Sequence, residues 1–259
     1  MIRLLLSCLL LATPAGAEVL RMAVTTSFAN SGLAEVLLPE IAEDTGLEVQ
    51  LLVVGTGQAL RLGAAGDVDA VLVHDRAAEE SFIAEGHADH RREIMYNDFV
   101  LVGPESDPAG IAGAGTAADA LGRIAAARVP FVSRGDDSGT HKAELRLWGG
   151  TAPGGDWYRA IGQGMGATLL TARGMGAYTL SDRASWLAFG DTSGMALLFE
   201  GDPALFNQYA YLPVSAAAHP AVNADGAARL EDWLVSDRAR ALIDGMTVQG
   251  VQLFTFNAD

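Results

Sequence analysis

The sequence has a single cysteine and a single lysine. One cysteine cannot form an internal disulfide, and Cys8 falls in a segment expected to be removed, which leaves no thiol chemistry. Lys142 and 16 arginines stand against 32 acidic residues, and the formal net charge is -15. So acidic a chain is a poor partner for nucleic acid or an anionic membrane. Any anion would have to be held by local donors against the overall field. Long hydrophobic runs are also lacking. Residues 4–12 are apolar but too few to span a bilayer. With Arg3 before them and Ala15-Gly16-Ala17 after, they read as a cleavable export signal over 1–17, which predicts a periplasmic protein. No Gly-x-Ser-x-Gly elbow is present, so the neighbours Asp137, Ser138 and His141 read as one local turn, and no enzyme is expected. His87 and His90 lie in a polar stretch without the spacing of metal ligands, and no 20–50-residue repeat is visible.

The 259 residues are 50% hydrophobic and 19% charged, enough for an ample core in one large domain or two lobes. Apolar strands alternate with amphipathic helices throughout, which predicts an α/β fold with mostly parallel sheets and binding loops at the strand ends. Polar turns at those ends carry the chemistry. The most informative is Ser133-Arg134-Gly135-Asp136-Asp137-Ser138-Gly139-Thr140, between the apolar run Val129-Pro130-Phe131-Val132 and a helix bearing Leu145 and Trp148. Free N–H groups at a helix start, two hydroxyls and a guanidinium suit a bound oxyanion. Three further turns are of the same kind: Thr25-Thr26-Ser27, Gly55-Thr56-Gly57 and Gly162-Gln163-Gly164-Met165-Gly166. Taken singly, each could be a helix cap or a tight turn. Together they place two donor-rich turns in each half of the chain and offer no converging carboxylates, cysteines or histidines for a cation.

These turns, with Gly66-Asp67-Val68-Asp69 and Tyr96-Asn97-Asp98-Phe99 in the same order, resemble the periplasmic tungstate-binding proteins of tungstate ABC transporters, within the type II periplasmic solute-binding proteins. The resemblance covers essentially the whole chain after residue 17. It implies two lobes, each a mostly parallel sheet flanked by helices, joined by two crossing hinge strands. The expected boundaries are 18–101 with 212–259 for lobe I and 102–211 for lobe II. It implies capture of tungstate, with molybdate a second ligand, by Thr25, Ser27, Thr56, Arg134, Ser138 and Thr140, completed by the backbone at Met165 and Gly166. It further implies a monomer without cofactor that delivers its ligand to a permease with its ATPase. One position departs from the family pattern: Val24 stands where a threonine is usual, and its side chain is expected to point into the core.

A fully deprotonated dianion calls for a site made only of donors, whereas phosphate, which keeps a proton, calls for a carboxylate acceptor. Asp136 and Asp137 therefore decide between tungstate and the alternative, phosphate or another tetrahedral oxyanion. Both are expected to hold Arg134 or turn N–H groups and to leave the ligand alone.

Overall fold

The computed structural model describes residues 18–258; the expected export signal at 1–17 lies outside them. Lobe I begins with β1 (Glu18–Thr25), a short helix α1 (Thr26–Asn30), α2 (Leu33–Thr45), β2 (Leu47–Val54), α3 (Thr56–Ala65), β3 (Ala70–Val73) and α4 (Arg76–Ala84). β3 is buried along its whole length, as a central strand covered on both faces must be, whereas β2 at the edge is only partly covered. β1 pairs in parallel with β2 on one side and β3 on the other, so Thr25, Gly55 and His74 emerge together at one end of the sheet.

The long strand β4 (Arg92–Pro104) then leaves lobe I. Lobe II contains α5 (Ala117–Ala127), β5 (Phe131–Ser133), α6 (Gly139–Leu147), β6 (Tyr158–Ala160), α7 (Met165–Met175), β7 (Thr179–Asp182), α8 (Arg183–Ala188) and β8 (Met195–Phe199). The chain returns along β9 (Phe206–Pro213), adds α9 (Ala224–Leu234) and α10 (Asp237–Gly245), and ends in the hairpin β10 (Thr247–Val248) and β11 (Val251–Gln252) followed by β12 (Thr255–Phe256).

β4 belongs to both lobes. From Arg92 to Asp98 it pairs antiparallel with β9, and from Phe99 to Pro104 it pairs antiparallel with β7 and β8. The sheet is therefore mixed: its parallel part, β3-β1-β2, meets antiparallel strands where the chain crosses. The partner change at Asp98/Phe99 comes before the 101/102 boundary read from the sequence. β9 already lies in the lobe I sheet from Phe206, well before residue 212. Arg183 on α8 grips Asp98 with two bonds of 2.6 Å at that change.

Each lobe has a core on both faces of its sheet. In lobe I, one face joins Leu20, Leu33, Leu37 and Ile41 to Leu230, Trp233 and Ile243 from the far end of the chain, and the other packs Leu60, Val71 and Phe82. In lobe II, Leu121, Ile124, Phe131 and Tyr178 form one cluster, and Val100, Val102, Met165 and Leu169 the other. Burying each large apolar side chain contributes about 1.5–3 kcal/mol. Val24 is fully buried in the first of these clusters. Another signature residue, Asp69, is structural: it accepts the Arg21 amide at 2.7 Å and the Asn223 amide at 2.9 Å, tying β1 to the start of α9. Among the described residues, no helix is long and apolar enough to cross a membrane.

Glu144, on α6 beneath the Arg134 turn, is buried and accepts hydrogen bonds from Tyr158 at 2.8 Å and Trp148 at 3.2 Å. Burial pushes its carboxyl up to about 7, from 4.5. The fold thus favours the protonated form: its contribution is complete below pH 4.5 and is lost as the pH rises through 7. Glu144→Gln, which keeps the carbonyl acceptor, should remove that dependence and leave the variant about 3 kcal/mol more stable than wild type at pH 8. Urea unfolding at pH 5 and pH 8 measures both. An unchanged difference between the two pH values would mean that Glu144 ionises freely in the fold.

Candidate functional site

The four donor-rich turns converge unequally. Thr25 caps α1, its hydroxyl accepting the Phe28 amide at 3.4 Å, and lies 3.0 Å from the Ser27 hydroxyl. Thr56 opens α3, whose cap residue Gly55 supplies no side chain, so the first N–H groups of that helix keep no side-chain partner. Ser138 caps α6 through the His141 amide at 3.2 Å, and Thr140 follows one residue into that helix. The two lobes touch here. A methyl group on Gly57 would overlap the Asp137 carboxylate, and one on Gly55 would lie 3.8 Å from Cα of Ser138. Arg146 of lobe II reaches Asp75 of lobe I at 3.4 Å.

Arg134 is the charged centre of the site and is only 2% exposed. Its Nε and Nη2 donate to one oxygen of Asp136, at 3.1 and 2.5 Å, and Nη2 also donates to Thr26 of lobe I at 3.3 Å. Nη1 makes no hydrogen bond to any described residue. The second oxygen of Asp136 accepts the Ser138 hydroxyl at 2.6 Å and its amide at 3.3 Å. Asp136 is thus saturated by its own turn. Gly135 makes that turn possible: its φ of +62° and the nearby Ala160 Cβ, 2.7 Å from where a side chain would begin, exclude other residues. Asp137 points outward, toward Arg61 at 3.9 Å and Lys142 at 3.8 Å.

Thr25, Ser27, Thr56, Arg134, Ser138 and Thr140 are all buried. Among the described residues, the hydroxyls of Thr56 and Thr140 have no hydrogen-bond partner. An unpaired buried hydroxyl costs roughly 1–3 kcal/mol, so one on each side of the lobe contact marks a place built for something polar. The Ser138 hydroxyl gives its proton to Asp136. The Met165 side chain lies in the lobe II core, which leaves its backbone for a ligand. Gly166 sits one step along α7, facing a hollow of about 320 Å³ shared with Asn30 and Ser185. The α7 N-terminus has Gly164 as its cap and no side-chain hydrogen bond there.

The sequence reading missed a polar chain beneath the site. Ser27 Oγ lies 3.0 Å from the Tyr209 hydroxyl and 3.3 Å from His74 Nε2. His74 Nδ1 lies 2.8 Å from Asn207 Oδ1, and the Asn207 amide donates to Asn97 Oδ1 at 2.6 Å. Burial pushes the His74 imidazole down to about 4, so the ring is neutral near pH 7. The available signal was positional: His74 follows β3 as Gly55 follows β2, at the strand ends where parallel sheets bind ligands. No group of three or more His, Cys, Asp or Glu residues able to hold a metal ion occurs among the described residues.

Two lobes on shared strands, meeting at buried donors, define a bilobal binding protein, and residues 12–238 match the PBP superfamily domain. The chain is 45% identical over 92% of its length to the tungstate-binding protein TupA of Peptoclostridium acidaminophilum, covering 85% of that protein. It superposes with a TM-score of 0.82 on the tungstate-binding protein TupA of Desulfovibrio alaskensis G20, at 43% identity, covering 94% of this chain and 100% of that one. With the structure titled as the tungstate ABC transporter from Geobacter sulfurreducens the TM-score is 0.80, at 46% identity, covering 88% of this chain and 98% of that one. The chain belongs to the family of tungstate-binding proteins within that superfamily.

Removing Asp136 should leave the buried Arg134 charge without its carboxylate. Asp136→Asn is expected to cost about 3 kcal/mol in urea unfolding without added anion. Arg134→Met should cost less, because Asp136 stays tied to Ser138. The reverse order would show that the carboxylate, not the guanidinium, is the strained partner.

Proposed function

We propose that this protein captures tungstate between its lobes, accepts molybdate as a close mimic, and delivers the anion to an ABC permease with its ATPase. The unpaired Thr56 and Thr140 hydroxyls carry this reading: they come from opposite lobes and are buried, and Arg134, buried as well, has an unused Nη1. The α3 and α7 N-termini add backbone N–H donors, and Thr25 at the end of β1 supplies a hydroxyl that Ser27, 3.0 Å away in α1, holds in place. Tungstate and molybdate carry no proton at neutral pH and need no acceptor. Asp136, the carboxylate nearest the guanidinium, is already saturated, which makes the site poorer for phosphate. Ser138 then acts through its turn and Met165 and Gly166 through backbone amides. Binding without turnover fits a site that holds no activated nucleophile: the Ser138 hydroxyl caps a helix and bonds a carboxylate. An anion contacting both lobes favours the closed arrangement by its differential affinity. The protein works as a periplasmic monomer whose two lobes divide near the change of partners in β4 and near the start of β9.

Thermal melting of residues 18–259 with tungstate, molybdate, sulfate or phosphate tests the ligand class. An anion at 100 times its Kd should add about 2.7 kcal/mol of stability. A shift with tungstate and molybdate and little with phosphate is expected; a shift with phosphate alone would overturn the reading. Arg134→Ala should lose at least 100-fold in tungstate affinity by calorimetry, and Arg134→Lys, which keeps charge without the planar fork, an intermediate amount. Unchanged affinity in Arg134→Ala would remove Arg134 from the site.

A further inference from the structure

Resting on that reading of the site, we infer that His74 is a positioning residue that couples lobe closure to the lobe I half of the anion site. Its ring stands where four parts of the molecule meet. It follows β3, touches Ser27 at the end of β1, is held by Asn207 of β9 and through it Asn97 of β4, and lies against Gly139 at the first position of α6 in lobe II.

The hydrogen positions follow from the chain of amides. Asn207 gives its N–H to Asn97, so its oxygen faces His74 and must receive the Nδ1 proton. In the neutral ring Nε2 is then an acceptor, and the neighbour able to donate to it is the Ser27 hydroxyl. His74 thus fixes the rotor of Ser27. Tyr209, 3.0 Å from Ser27 and packed on the His74 ring at 4.6 Å between centroids, is left to donate its own proton to Ser27. With the Ser27 proton engaged, the Thr25 hydroxyl is the donor of its 3.0 Å pair with Ser27, and it is the proton of this cluster that an anion can draw to itself.

Closure enters through Gly139. A methyl group there would overlap the His74 ring, and the ring cannot swing aside because both nitrogens are engaged. The backbone at Gly139 is ordinary helix, without the left-handed φ that reserves a position for glycine. The absence of a side chain therefore serves the contact between lobes and not the helix, where alanine would be preferred.

Two measurements test this by calorimetry with sodium tungstate. In the first, Gly139→Ala should bind at least 10-fold more weakly than wild type with no fall in the melting temperature of the anion-free protein, while adding Gly139→Ala to His74→Ala should cost less than 3-fold further. Wild-type affinity in Gly139→Ala, or an equal loss in both backgrounds, would overturn the coupling. In the second, asparagine and glutamine separate the two ring nitrogens. His74→Gln can place an acceptor near Ser27 and should stay within about 3-fold of wild type, whereas His74→Asn keeps only the Asn207 bond and should lose at least 10-fold. A merely structural histidine would give equal losses, or losses that follow the anion-free melting temperatures. Should wild type answer to phosphate and not tungstate, the proposed ligand fails, and the same variants measured with phosphate decide the role of His74 on their own.

Discussion

The bond between Arg134 and Asp136 is the constraint on which the site rests. A chain of net charge -15 can present positive charge to an anion only by isolating one guanidinium from its many carboxylates. Burial isolates it, and burial of an unpaired charge is prohibitive, so a single aspartate two residues along supplies the counter-charge. Because that carboxylate is also filled by Ser138, it stabilises the guanidinium without offering a free oxygen to the ligand. The left-handed glycine between them lets one short turn hold both partners.

Much of this was legible in the sequence, for a physical reason. Residues that serve a strand-to-helix turn are local: Arg134, Asp136 and Ser138 lie within five positions, so their spacing alone suggests their contacts. Val24 was legible as well, since a β-branched apolar residue on a buried strand points inward. The illegible parts involve partners far apart in sequence. His74 meets Asn207 across 133 residues, and nothing near either residue announces the other. For Ser138 the residue and its turn are local, but the direction of its proton depends on which acceptor the folded turn puts closest. The change of partners within β4 does leave a mark, since the half-polar stretch through Asn97 and Asp98 pairs with β9 and the apolar run from Phe99 pairs with β7, but which strands lie beside each part is fixed by residues far along the chain.

The rim of the lobe contact is chemically different from its floor. Arg61 and Asp137 are exposed, and Arg146 is half in solvent, so salt screens these pairs and each is worth little. The floor is made mainly of neutral hydroxyls, amides and one imidazole around the paired charges of Arg134 and Asp136. Closure is steered weakly from outside and specified from within.

The division of the chain has a consequence for assembly. Between Phe99 and Phe199 every strand and helix of lobe II follows in unbroken order, so its contacts can form while they are still near in sequence. Lobe I cannot close its larger core until Leu230, Trp233, Ile243 and Phe256 reach residues near the beginning, and β4 gains its outer neighbour only with β12. Loop-closure entropy weighs on such distant contacts. The second lobe in the sequence is therefore the first that can fold, and the lobe that begins the chain is the one whose completion waits for its end.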